Sequence, residues 1–143
     1  MQEAVDLLGY KLVVGSASTA SEVDTAFTKL VQRIDALAVA AQAFFLGDAH
    51  QLAELALHHR MPAIYGFRED ALAGGLISYG GSLADAYRQA GIYTGRILGG
   101  VKPAELPVQI PTKFELVINL KTAKALGLAI PSGVMAIADD VIE

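Results

Sequence analysis

The chain has 143 residues, a net charge of −4, 53% hydrophobic and 18% charged residues, and no cysteine. That is enough apolar material for one packed domain and too much for a disordered chain. It excludes disulfides and thiolate metal sites, and the acidic balance without a basic block argues against nucleic acid as a partner. No apolar run approaches the about 20 residues that a membrane-crossing helix needs.

Met1–Asp6 has neither the positive start nor the apolar stretch of a signal peptide. A chain made as written would therefore stay in the cytoplasm. Ala4, Val5, Leu7 and Leu8 form a helical stripe that Gly9 stops. A chain that opens inside a helix, with no cap before it, has the look of a piece of a longer protein.

Lys11-Leu12-Val13-Val14, ending at Gly15, is expected to be a strand. Ser16, Ser18, Thr19 and Ser21 make a hydroxyl-rich loop, and Ser21 with Asp24 resembles a capping box. Val23, Phe27, Leu30, Val31 and Ile34 follow as the buried stripe of a helix. Ala36–Ala41 is short and wholly apolar, as in a strand buried on both faces. Gln42–Gly47 is expected to be a loop, and Asp48 to cap the helix that carries Leu52, Leu55, Ala56 and His59.

Met61–Tyr65 is the next predicted strand, with Pro62 at its start. Gly66–Asp70 follows as a loop or a short turn of helix. Gly74–Ser82 is a strand around Ile77-Ser78-Tyr79 with glycines on both sides, where bare backbone lets a ligand approach. Ser82 and Asp85 form a second capping pattern. Leu83, Tyr87, Ala90, Thr94 and Ile97 are the expected buried face of the helix that ends at Gly99. Gly91 and Gly95 weaken that helix, so close approach of another element is expected there. Three prolines mark Val101–Pro111 as an extended crossing. Phe114–Leu120 is a strand, Asn119 caps a short helix ending at Gly127, and another short helix follows Pro131.

Strands alternating with helices imply βαβ units and a parallel sheet, with ligands outside the carboxyl ends of the strands. No catalytic constellation accompanies that frame. There is no Gly-x-Ser-x-Gly elbow, no Walker A sequence and no Gly-x-Gly-x-x-Gly. His50, His58 and His59 share one helix but are poorly spaced to chelate a metal. The adjacent pair Glu69-Asp70 suits a solvated surface. Phe44 and Phe45 suit a core as well as a stacking platform, and Tyr65 and Tyr79 stand at strand ends where a ligand would be met.

Met61–Glu69, Ala73–Gly80, Leu83–Gly91, Lys102-Pro103-Ala104, Leu106-Pro107-Val108 and Pro111–Gly127 together resemble the C-terminal half of ABC-transporter substrate-binding proteins of the tryptophan- and tyrosine-type. The resemblance implies an α/β fold: a parallel-sheet, Rossmann-like three-layer lobe of a type I periplasmic binding protein, with a crossover helix and a C-terminal tail. It implies a single domain over 1–143, the lobe being 1–80 and 112–143. The crossover helix 82–99 would pack on an absent lobe or a second chain.

By position, the resemblance gives the ligand contacts as Ser16, Ser18, Thr19, Gln42, Phe44, Tyr65, Glu69, Ser78, Tyr79 and Gly80. No catalytic residue, cofactor or metal follows from it. Relatives commonly carry Asp-Pro before the Phe-Phe pair. Gln42-Ala43 stands there instead, which removes a carboxylate partner for a ligand amine.

The implied function is a non-enzymatic solute-binding component of an ABC importer, holding a small organic solute such as an amino acid or aromatic acid between lobes. Its partners would be the solute and a membrane permease, and its location periplasmic; separately, the uncovered helix 82–99 and an exposed sheet edge predict a homodimer or higher, by helix exchange or edge pairing. Two alternatives remain open at the level of sequence: a self-associating module with no solute of its own, and a small α/β hydrolase-like enzyme.

Overall fold

Two strands of opposite direction meet at the centre of the sheet, and the rest of the chain is arranged around them. The computed structural model describes residues 2–143. Helix α1 (Gln2–Leu7) is followed by α2 (Ala20–Leu30), β1 (Leu37–Ala38), α3 (Ala43–Gly47), α4 (Ala49–His58), β2 (Ala63–Tyr65), α5 (Arg68–Leu72) and β3 (Ile77–Gly81). Then come α6 (Leu83–Leu98), a 3-10 turn (Pro103–Glu105), β4 (Phe114–Asn119), α7 (Leu120–Ala125), α8 (Ser132–Ala136) and β5 (Asp140–Ile142). No helix among the described residues is long and apolar enough to cross a membrane.

The strands lie in sequence order, β1-β2-β3-β4-β5. The first three are parallel, β3 and β4 are antiparallel, and β5 is parallel to β4. The α/β expectation holds, but the sheet is mixed rather than wholly parallel. The chain leaves the carboxyl end of β3, runs out along α6, and returns through residues 99–113 to the same end. Gly81 therefore faces Phe114 and Gly80 faces Glu115.

The main core joins Val23 and Phe27 of α2, Leu52 and Ala56 of α4, Met61, and Ala63 and Tyr65 of β2. Val117 and Ile118 of β4 are fully shielded from solvent, as is Ala71 of α5. Asn119 does what its position predicts: its Oδ1 accepts the Thr122 N–H at 3.1 Å and caps α7. Its Nδ2 also donates to the Ala71 carbonyl at 3.1 Å, tying α5 to the end of β4.

Several expectations fail, each for a local reason. Lys11–Val14 is not a strand, because the sheet ends at β1, whose two residues offer almost no edge to pair with. Alanine-rich 36–41 contributes only that short edge strand, not one buried on both faces. Helix α2 begins two residues earlier than predicted. Thr19 Oγ1, not Ser21, accepts the Glu22 N–H at 3.3 Å. Residues 43–47 form α3 rather than a loop. Strand β5 was not expected from an acidic tail. Asp139 builds it by accepting the Leu116 N–H at 2.8 Å and donating its own N–H to Leu116 O at 2.9 Å.

Helix α6 departs furthest. Ser82 Oγ accepts the Asp85 N–H at 3.4 Å, as the capping pattern predicts, but the helix has no buried residue. Tyr87 is 76% and Leu98 84% exposed. Among the described residues the helix's one side-chain hydrogen bond to another segment is from the Tyr93 hydroxyl, donated to Pro107 O at 2.6 Å. A Cβ on Gly91 or Gly95 would meet open space, so the expected close neighbour is not found among the described residues. Gly91→Ala and Gly95→Ala should each stabilise the chain by about 1 kcal/mol. A urea midpoint that fails to rise would show that something in solution covers that face.

Candidate functional site

Glycines close the carboxyl ends of β2 and β3, and their backbones touch there. A Cβ built on Gly80 would overlap the Gly66 carbonyl oxygen, and one on Gly66 would overlap Ala41. The ends of β1, β2 and β3 are thus drawn together by small residues. Beside them opens a groove of about 1100 Å³, walled by the Gly66-Phe67 loop, the end of β3, the first turn of α6 and the returning segment 108–114.

The floor of the groove is aromatic. Tyr79 and Phe114 stack with ring centroids 5.9 Å apart and planes at 26°. They sit diagonally across the β3–β4 pair, where long side chains reach one another. Both rings are largely exposed, Tyr79 at 57% and Phe114 at 49%, so the stack presents an open apolar face.

Of the charged residues nearby, Lys113 and Asp85 line the groove, while Glu115, which alternates with Phe114 along β4, projects from the other side of the sheet. Lys113 Nζ lies 3.0 Å from Glu115 Oε1, and Arg68 lies 3.4 Å from Glu115 Oε2 and 2.7 Å from Asp140. Asp85, on the groove wall, is engaged by Arg88 at 2.6 Å. Glu115 is buried, and the Lys113 hydrogen bond, aided by Arg68 against the opposing effect of burial, holds its carboxyl below the usual range. A lowered carboxyl favours the folded state. That contribution is complete above the unfolded value, about 4.3, and is lost as pH falls through the folded one. Glu115→Gln should therefore flatten the acid limb of the stability–pH curve, read by thermal melts between pH 3 and about 6. An unchanged limb would count against the pairing. Asp70 works in the other direction. Burial, offset by the Phe67 N–H and reinforced by Glu69, raises its carboxyl, so its ionisation costs folded stability as pH rises.

The ten residues predicted to contact a ligand fall in different places. Tyr79 and Gly80 line the groove. Gln42 is exposed at the start of α3, next to Ala41 on the groove wall. Ser16 lies at a smaller cavity between α2 and β1. Ser18 and Thr19 are exposed at the start of α2, where the Ser18 N–H donates to Glu22 at 2.7 Å. Phe44 is half-buried edge-on to Phe45, 5.2 Å between centroids, and packs on the main core.

Tyr65 and Ser78 are register partners in β2 and β3, so they emerge from the same face of the sheet, and both are buried. Their hydroxyls, and Glu69 Oε2, have no hydrogen-bond partner among the described residues. Burial, then the nearby Asp70 charge, pushes the Tyr65 phenol well above its usual range. The structure thus brings Tyr79 and Gly80 together, with Gln42 close by in the chain, and sets Tyr65 and Ser78 apart from them.

Sequence reasoning missed Phe114, Lys113 and Asp85. Phe114 and Lys113 join the site only because β4 starts where β3 ends, and no local pattern announces that return. Among the described residues no group of three or more His, Asp or Glu side chains could hold a metal ion. His59 instead packs on Phe27, 5.5 Å between ring centroids.

Known proteins share this architecture. A family model described as ABC transporter substrate binding protein matches residues 1–142. A tyrosine-binding protein of Clostridioides difficile (strain R20291) is 28% identical over 119 residues, covering 83% of this chain and 34% of that protein. A conserved domain protein from Vibrio cholerae matches with a TM-score of 0.91 at 24% identity, over 98% of this chain and 47% of that one. An ABC domain in complex with L-Trp from Streptococcus pneumonia matches with a TM-score of 0.89 at 24% identity, over 98% and 49%. The ligand-free, open structure of a Clostridium difficile substrate binding protein with adhesive properties matches at 0.67 and 22% identity, over 99% and 47%. The chain spans about a third of the curated relative and about half of each solved chain.

Proposed function

This chain belongs to the ABC transporter substrate binding protein family, and from that premise we propose that it serves an ABC importer by holding a small aromatic solute, an aromatic amino acid or acid, in the groove beside Tyr79. The observation that carries the proposal is the stacked Tyr79–Phe114 face, open to a groove of about 1100 Å³. Exposed aromatic pairs of this kind offer large contact area and a geometric preference for another ring. The named ligands of two similar proteins, tyrosine and L-Trp, have the same chemistry. Lys113 on the groove wall supplies a cation for a solute carboxylate, and Arg68 keeps Glu115 paired if Lys113 turns to the solute. With Gln42 where a carboxylate commonly stands, a solute without an amine is as well served as one with it. No catalytic step is part of the proposal.

The groove is wide for a closed ligand pocket, which ordinarily holds about 300–1000 Å³. A second body closing on it completes the site in this proposal, and the exposed helix α6 is where a further lobe or a second copy would pack. Residues 1–80 and 112–143 then act as one lobe, working outside the cytoplasmic membrane beside a permease.

The test uses the chain's lack of tryptophan, since emission from added L-Trp is read without protein background. The expected result is binding weaker than about 1 µM, because the groove stays open until a second body closes on it, and a loss of about tenfold in Tyr79→Ala. Indole-3-acetate should bind comparably. Failure of every aromatic solute to perturb Tyr79 and Phe114 by NMR would overturn the proposal, as would sub-micromolar binding indifferent to Tyr79→Ala.

A further inference from the structure

A second cavity, separate from the groove, lies between α2 and the edge strand β1. Its volume is about 130 Å³. Phe27, Leu30, Phe45 and Leu52 form its large walls, while Gly15, Ala17, Ala26, Ala38 and Ala40 leave the space between them. Ser16 is the one polar side chain on the lining. The small side chains are what keep the space open, since a leucine at Ala26 would project into it.

We propose that this cavity is a binding site for a single apolar ring, the benzene ring of a monocyclic aromatic compound. Three observations support the assignment. The volume is close to the roughly 150 Å³ of an apolar protein cavity known to take up benzene. Apart from Ser16 every side chain on the lining is apolar, so an apolar ring finds contact on most sides. The cavity also opens at the carboxyl end of β1, the end of the sheet at which α/β folds receive ligands. Val23, Phe27 and Leu52 on its inner wall are held by the main core. The deep side of the site is therefore fixed before a ring arrives, and binding needs no repacking there. The site does not depend on what the Tyr79 groove binds.

The experiment is a titration of the full chain with benzene, followed by methyl NMR. Shifts confined to Val23, Leu30, Leu37, Val39 and Leu52 are the expected result. Shifts elsewhere, or none at saturating benzene, overturn the proposal. Ala26→Leu should fill the cavity and weaken benzene binding by about tenfold or more. Unchanged affinity in a folded Ala26→Leu protein would overturn the proposal as well. Should that variant fold poorly, xenon-induced shifts of the same methyls in the unmodified chain decide the question: their presence supports the site and their absence refutes it.

Discussion

Gly80→Ala should destabilise the chain by about 3 kcal/mol and abolish solute binding at the groove, although it adds one methyl group. The added carbon would overlap the Gly66 carbonyl oxygen. A flexible side chain could swing away at little cost, but a backbone carbonyl can move only with its peptide plane. Gly66 follows β2 directly, so moving it strains the pairing of Tyr65 with Ser78 at the end of the ladder. That pairing covers the fully buried Ser78 and positions Tyr65 in the main core. Two controls isolate the effect. A Cβ on Gly81 would lie 3.4 Å from Pro111, and one on Gly91 would meet nothing. In urea titrations Gly81→Ala should stay within about 1 kcal/mol of the parent and Gly91→Ala should exceed it. If Gly80→Ala unfolds at the parental midpoint, the close backbone contact is not a feature of the folded protein.

Asn119→Ala should cost a comparable amount, about 2–4 kcal/mol, for a different reason. Asn119 is 5% exposed and uses both ends of its amide. Removing it orphans the Thr122 N–H at the start of α7 and takes the side-chain donor from the Ala71 carbonyl in α5, which keeps the Gly74 N–H at 3.1 Å; both residues are buried. Buried groups without partners are costly, because water cannot replace what was lost. Asn119→Asp separates the two contributions. It keeps the acceptor for Thr122 but has no donor for Ala71, and it sets a carboxylate against that carbonyl. Chemical denaturation should place Asn119→Asp no better than halfway back to the parent. Full recovery would show that the α5 contact contributes little and that the cap alone matters.

The parts of the fold legible in the sequence were those fixed by neighbours in the chain. Ser82 and Asn119 were readable as caps because a cap is a contact over three residues. The strands around Ala63–Tyr65, Ile77–Gly81 and Phe114–Asn119 were readable because they are apolar and bounded by turn residues. Lys11–Val14 has the same composition and is not a strand, since a strand also needs an edge to pair with, and β1 is too short to provide one. Conversely, β5 is only Asp140-Val141-Ile142, too short to show a pattern, and is held by Asp139 on Leu116 and by Arg68 on Asp140.

The site divides along the same line. Glycines on both sides marked the end of β3 as backbone a ligand could approach, and there the Gly66 carbonyl lies against Gly80; alternation along a strand was underused. Ser78 and Tyr79 are adjacent and so face opposite sides of the sheet, which allows only one of them to meet the groove. Tyr65, level with Ser78, goes inward with it. The apolar stripe of α6 was visible, yet periodicity says only that a face wants cover and not where the cover comes from.

The return of the chain beside its own exit has a mechanical meaning. Residues 82–113 are joined to the sheet by two strands lying side by side, Gly81 against Phe114 and Gly80 against Glu115. A single tether would let that segment swivel in every direction. A two-ply ribbon resists twisting and sideways shear, because either would stretch the hydrogen bonds between its plies, and yields mainly by flexing out of its own plane. Bare glycines on one ply at the root set that compliance. The helix and its return are thus attached as a flap with one soft axis, and the Tyr79–Phe114 stack lies at the crease.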